Sequence, residues 1–255
     1  MHGSSRLIEV HDYHKNYRTT VAVAGLQFTV RPHEILGLVG PNGAGKTTTL
    51  RTLAGIIPPT RGALSVAGFD IVTQPVEAKR RLAYVPDDPR LFETLTVWEH
   101  IEFMASAYQV QDAVPKAEAL LERFELTDKR NTLGQELSRG MRQKVAICCA
   151  YLHDPEVLLF DEPHTGLDPR GIRTMRTSIV ERAEAGAAVV VSSHFLSLIE
   201  DMCTHLLILH LGRQLYCGPI AQARSAFSVI EAAASLEEVF FRATEGGAVA
   251  RKPGS

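Results

Sequence analysis

The sequence predicts an α/β fold with a mostly parallel central sheet, an antiparallel β lobe and an inserted all-helical lobe. Three patterns carry that expectation. A glycine-rich loop from Gly40 to Thr48, GPNGAGKTT, stands between the apolar run Ile35-Leu36-Gly37-Leu38-Val39 and a helical stretch beginning at Thr48. Two further apolar runs, Val157-Leu158-Leu159-Phe160 and residues 187–191, have the composition of strands covered on both faces. Between these β-rich flanks, residues 96–152 turn to helical periodicity.

In chain order, Leu7-Ile8-Glu9-Val10 and Leu26-Gln27-Phe28-Thr29-Val30 alternate as strands of a small antiparallel sheet, with Tyr17 between them. Pro58-Pro59-Thr60-Arg61-Gly62 is a turn, followed by a strand at Ala63-Leu64-Ser65-Val66. Leu82-Ala83-Tyr84-Val85 is a short strand ending at Pro86, and Asp87-Asp88-Pro89 is a loop by composition. Thr96-Val97-Trp98-Glu99 has capping-box spacing. Two amphipathic helices follow at 101–108 and 114–124, then one through Val145, Ala146, Ile147 and Ala150. Asp168-Pro169 is an N-cap and first position for a helix reaching about residue 185. Residues 195–202 read as a helix, 206–209 and 214–216 as strands, and 235–244 as a last short helix. The organisation expected is one domain over 5–245, with core and β lobe at about 5–86 and 153–225, a helical lobe at about 87–152, and a disordered tail at 246–255.

Composition narrows the function classes. The chain has 255 residues, 45% hydrophobic and 22% charged, with a net charge of −2. No basic field therefore argues for nucleic acid. No apolar run reaches the roughly 18 residues that a membrane span requires, and the N-terminus lacks the apolar centre of a signal peptide. The four cysteines, at 148, 149, 203 and 217, form no C-x-x-C pair and read as buried thiols of a reducing compartment.

The loop fits G-x-x-x-x-G-K-[ST] through Gly40, Gly45, Lys46 and Thr47, in the strand–loop–helix setting that a P-loop NTPase core needs. Backbone N–H groups of Gly40, Pro41-Asn42-Gly43-Ala44-Gly45 and Thr48 enclose an anion at a helix N-terminus, proline contributing only its fixed shape. Lys46 adds a charge for the β- and γ-phosphates, and the Thr47 hydroxyl is a magnesium ligand. Phosphoryl transfer to water also needs a carboxylate on the metal side and one on the water side. Asp161, ending an apolar strand, suits the first, and Glu162 suits the second. His194 closes another buried strand and should emerge on the same sheet edge, where open α/β sheets bind ligands, as a γ-phosphate contact.

With these residues in place, the chain resembles the nucleotide-binding subunit of ATP-binding cassette (ABC) transporters from Leu7 to Thr244. LSRGMRQK, from Leu137 to Lys144, resembles the family signature LSGGQ. The resemblance implies ATP and Mg²⁺ as ligands, and Ser138 and Gly140 contacting the γ-phosphate held by a second subunit in a head-to-tail dimer. A homodimer is preferred to a heterodimer. Tyr17 matches the aromatic that stacks on adenine, with an exposed strand tyrosine as the alternative. Gly166-Leu167-Asp168 matches the loop along the dimer seam, and His194 the switch histidine. The resemblance also implies a separately encoded membrane permease, a place on the cytoplasmic face of the cell membrane, and ATP hydrolysis coupled to transport. SLEEVFFRAT at 235–244 resembles the ending of exporter subunits.

The sequence departs from the family at several points. Asp87 stands where glutamine is usual, and is either a further magnesium ligand or a loop cap. Arg139 replaces glycine and Met141 replaces glutamine in the signature; His33 stands for a turn glycine and His164 for a threonine. Two alternatives stay open: a nucleotide-binding regulatory subunit with weak or no hydrolysis, and a non-transport ABC ATPase acting on ribosomes or DNA.

Overall fold

The computed structural model describes residues 6–226. Strand β1 (Ile8–Tyr17) and strand β2 (Thr20–Val30) form an antiparallel hairpin, longer at both inner ends than alternation indicates. The reason is local: register shifts between Val10 and His14, with Asp12 at φ 44°, move the inward face by one residue and bury Tyr13. Alternation read across that bulge breaks in the middle of one continuous strand.

Strand β3 (Ile35–Val39) is buried throughout and leads through the glycine-rich loop into helix α1 (Lys46–Leu53). Strands β4 (Arg61–Val66) and β5 (Phe69–Asp70) complete an antiparallel sheet of order β2-β1-β4-β5. Helix α2 (Pro75–Arg80), with Pro75 at its start, precedes strand β6 (Leu82–Val85); at six residues it is too short for helical periodicity to show in the sequence. Helix α3 (Val97–Tyr108) opens on the expected capping box, the Thr96 side chain accepting from the Glu99 N–H while Glu99 accepts from the Thr96 N–H. Helices α4 (Ala113–Arg123) and α5 (Arg139–Tyr151) follow, with short 3₁₀ turns between them.

Strand β7 (Val157–Asp161), helix α6 (Pro169–Glu184), strand β8 (Ala188–Ser193) and helix α7 (Leu196–Glu200) return the chain to the sheet. Asp168 Oδ1 caps α6 by accepting from the Gly171 N–H at 2.9 Å. Strand β9 (His205–His210), strand β10 (Arg213–Pro219) and helix α8 (Ile220–Ala226) end the described chain. The short helix at 235–244 and the tail at 246–255 lie outside the described residues.

The large sheet has order β10-β9-β3-β8-β7-β6, parallel except for the edge strand β10. Successive residues on its central strands serve two cores. Leu36, Leu38, Leu159 and Val190 pack towards α1 and the antiparallel sheet. Ile35, Val39, Phe160 and Val191 pack towards α3–α6. A one-residue slip would send each of these side chains into the opposite core and mismatch the packing of both. That fixed register has a functional consequence: Val39 lies opposite Ser193, and Ser192 opposite Asp161. Three neighbouring strands therefore finish at one level.

Candidate functional site

A cleft of about 230 Å³ lies over the glycine-rich loop after β3, lined by Ala22, residues 41–48, Asp87 and Glu162, the residue that follows β7. Gly45 caps α1 with φ 105°, and a Cβ there would lie 2.7 Å from the Ala22 carbonyl oxygen. Only glycine closes the loop this tightly against β2. The first-turn N–H groups of α1 lack intrahelical partners and give the cleft its anion-binding end.

Lys46 is buried, its ammonium donating to the Gly40 carbonyl at 2.7 Å and standing 3.6 Å from Glu162 Oε1. Its charge is held over the loop by groups that a phosphate can replace. Thr47 Oγ1 donates to Asp161 Oδ1 at 3.1 Å, which brings the two candidate metal ligands together. Asp161 is 1% exposed and accepts also from Ser192 Oγ at 2.7 Å and Tyr84 OH at 3.3 Å. Burial, and then the charge of Asp161, push the Tyr84 phenol well above its usual range, so it stays a donor.

Glu162 leaves the strand at φ 47°, a left-handed conformation that is strained for a side chain of this kind. The Ser192 hydroxyl steadies it, accepting from the Glu162 N–H at 3.0 Å. The turn swings the carboxylate into the cleft, where Oε2 meets His194 Nδ1 at 2.8 Å and the His194 N–H at 3.3 Å. Lys46, Thr47, Asp161, Glu162 and His194 thus converge, as the strand order requires.

The remaining candidates stand further out. Tyr17 sits at the tip of the first hairpin, 46% exposed, with the Lys15 ammonium 5.0 Å from its ring centre. It does not line the cleft. Ser138 is the N-cap of α5, its hydroxyl accepting from the Met141 N–H at 3.2 Å. Gly140 packs so closely that a Cβ would meet the Gly166 carbonyl oxygen at 2.3 Å. The signature turn and the loop after β7 therefore touch within one chain.

Asp87 reaches the cleft, but its Oδ1 is engaged by Arg139 Nη2 at 2.9 Å, and the same nitrogen donates to the Asp87 carbonyl at 3.3 Å. Two departures from the family pattern are thus partners. The loop is tied to α5 a second time by Gln143 Nε2, which donates to the Pro86 carbonyl at 3.4 Å. His33 has φ 68°, the conformation that glycine adopts freely, and its Nδ1 lies 3.1 Å from the Ala183 carbonyl.

Sequence reasoning gave His164 no role, yet its Nε2 lies 3.7 Å from Glu162 Oε2. Burial lowers its pKa, opposed by the Glu162 charge. The available sign was its position two residues after the cleft carboxylate.

A family model described as "ABC transporter" matches residues 23–165. The ABC-type transporter ATP-binding protein EcsA of Bacillus subtilis is 33% identical over 241 residues, 94% of this chain and 97% of that protein. The Nod factor export ATP-binding protein I of Cupriavidus metallidurans is 34% identical over 214 residues, 82% of this chain and 70% of that one. A solved ATP binding subunit of an ABC transporter matches with a TM-score of 0.88 at 35% identity, over 93% of this chain and 99% of the other. At 24% identity and a TM-score of 0.74, cbiO1 from Clostridium perfringens, part of the complex cbiONQ, shares the fold over 88% of this chain and 92% of its own.

Proposed function

The chain belongs to the ABC transporter family as an ATP-binding subunit, and from that premise we propose that it hydrolyses ATP at a head-to-tail dimer interface to drive a separate membrane permease, in the direction of export. The observation that carries the reading is the convergence of Lys46, Thr47, Asp161, Glu162 and His194 at the ends of three adjacent strands.

In this reading the phosphates of ATP enter over the start of α1 and take the N–H groups of residues 43–48. Lys46 exchanges the Gly40 carbonyl and Glu162 for phosphate oxygens, which frees the Glu162 carboxylate. Glu162 then accepts a proton from the attacking water, and His194 holds Oε2 on one side so that the carboxylate points at the γ-phosphate. Thr47 Oγ1 and Asp161 Oδ1, 3.1 Å apart, are oxygen donors suited to a small hard cation, so they are the residues that would hold magnesium. An ion held there would supply positive charge to offset that of the phosphates.

Ser138 and Gly140 of one subunit close over the nucleotide of the other, and Tyr17 stacks on adenine. The site thereby carries two half-sites from different chains. No helix among the described residues is long and apolar enough to cross a membrane. In this reading the permease is another polypeptide and this subunit sits on the cytoplasmic face, a reading supported by the ATP-binding subunits it resembles, of which cbiO1 is part of a transporter complex. Export is favoured by the 235–244 resemblance and by the export named for the Cupriavidus relative.

The test of the dimer is a disulfide trap with Asn42→Cys on the phosphate loop and Arg139→Cys beside the signature serine. The expected product is an intersubunit link that forms with ATP and not without it. A link within one chain, or one indifferent to ATP, overturns the head-to-tail arrangement.

A further inference from the structure

Glu162, His164 and His194 bring a carboxylate and two imidazoles to one point, all three ligand atoms within 4.8 Å of one another. Among the described residues this is the one such convergence of three His, Cys, Asp or Glu side chains. Glu162 Oε2 lies 2.8 Å from His194 Nδ1 and 3.7 Å from His164 Nε2. Zinc bonds of about 2.0–2.2 Å set tetrahedral donors roughly 3.3 Å apart, and the two separations bracket that spacing.

A second observation is independent of the spacing. The His164 side chain is 9% exposed, and both of its ring nitrogens are buried without a hydrogen-bond partner. Buried polar atoms of this kind are normally satisfied, because leaving one unpaired costs about 1–3 kcal/mol. Phe195 packs edge-on against the ring at 4.9 Å and holds it facing the carboxylate. His194, with 51% of its side chain exposed, opens the group to solvent and leaves an ion a way in.

We propose that Glu162, His164 and His194 form a site for a borderline first-row divalent cation, with Zn²⁺ as its representative, taken up when no nucleotide is bound. Its mixed nitrogen and oxygen donors select against Mg²⁺, which prefers an all-oxygen shell such as Thr47 and Asp161 offer. The Lys46 ammonium, 3.6 Å from the opposite carboxylate oxygen, opposes further positive charge there and moderates the affinity. Ion binding stands on these side chains alone. Its consequence rests on the roles proposed above: an ion on Glu162 Oε2 and His194 withdraws both from ATP hydrolysis, and so acts as a metal-dependent brake.

The experiment titrates Zn²⁺ into the nucleotide-free full chain against a chromophoric zinc indicator, in excess Mg²⁺. One ion per chain is expected, weakened at least 10-fold by His164→Thr. Absence of a site tighter than about 100 µM, or a site that His164→Thr leaves unchanged, overturns the proposal. Co²⁺ bound to the unmutated chain reads the donors without any variant. Ligand-field bands of nitrogen and oxygen coordination are expected; a thiolate charge-transfer band assigns the ion to the cysteines and overturns the site. Steady-state turnover gives the third arm: Zn²⁺ should inhibit the wild type at concentrations that spare His164→Thr, each relative to its own zinc-free rate. Binding at the three residues with no inhibition overturns the brake alone. A chain with no zinc-free turnover overturns the proposed hydrolysis while the indicator and cobalt arms still decide the site.

Discussion

Exchanging Asp87 for Asn and Arg139 for Gln, singly and together, isolates the contact between the loop after β6 and the signature turn. One guanidinium nitrogen serves both the carboxylate, at 2.9 Å, and the backbone carbonyl, at 3.3 Å. The geometry is not bidentate, and the two side chains are 43% and 47% exposed, so solvent screens the pair. Pairs of this exposure couple by about 0.2–1 kcal/mol, and we expect about 0.5 kcal/mol from urea unfolding of the four proteins. In 1 M salt, where the screening length falls to about 3 Å, most of that coupling should disappear. The nucleotide gives the sharper reading because the singles must differ in sign. Asp87→Asn leaves Arg139 uncompensated beside the cleft, and magnesium-free ATP binding should tighten about 2-fold, or ~0.4 kcal/mol. Arg139→Gln leaves the carboxylate uncompensated and should weaken it by a similar factor; the double variant should return near wild type. Calorimetric titration of ATP in chelator measures all four. Single variants that move in the same direction, or no coupling at low salt, would refute the pairing as the reason these two departures coexist.

Three further outcomes follow from buried contacts. Ser178 Oγ donates to the Met175 carbonyl at 2.6 Å, so Tyr151 OH must be the donor in its 2.9 Å bond to Ser178; Tyr151→Phe should cost about 1 kcal/mol in denaturant unfolding. Gly140→Ala forces a methyl towards the Gly166 carbonyl at 2.3 Å, and should destabilise by about 1–3 kcal/mol, measured the same way. Burial lowers the pKa of His153 from 6.5, so the unfolded chain takes up its proton first as pH falls. Stability should accordingly decline below pH 6.5 and level off below the folded pKa, with a shallower decline in His153→Asn when Tm is followed across that range.

What the sequence made legible is what chemistry demands within a few residues. The Gly40–Thr48 loop, the Asp161-Glu162 pair and His194 each sit at the end of an apolar run, and parallel strands in register bring such ends to one edge. The Thr96 capping box and the Asp168 cap were readable for the same reason, because their partners lie three residues away. What escaped depends on pairing across the chain or on backbone conformation. Arg139 and Asp87 are 52 residues apart, and nothing local marks them as partners. His164 faces Glu162 because Glu162 adopts φ 47°, a turn that spacing alone does not reveal. The bulge at Asp12 hid the middle of β1, and α2 is six residues long, too short for helical periodicity to register.

The central claim is that the Glu162 carboxylate activates water against ATP held by Lys46 and the phosphate loop. It is tested most directly by phosphate release under saturating Mg·ATP, comparing the wild type with Glu162→Gln while ATP affinity is measured on both. Gln keeps the shape and the hydrogen bond to His194 but loses the charge and the basicity. Retained ATP binding is expected, with turnover lowered by about 10²–10⁴-fold, or ~2.7–5.4 kcal/mol of barrier. Turnover within a few-fold of wild type, with ATP bound equally well, would remove Glu162 from the reaction and contradict the account.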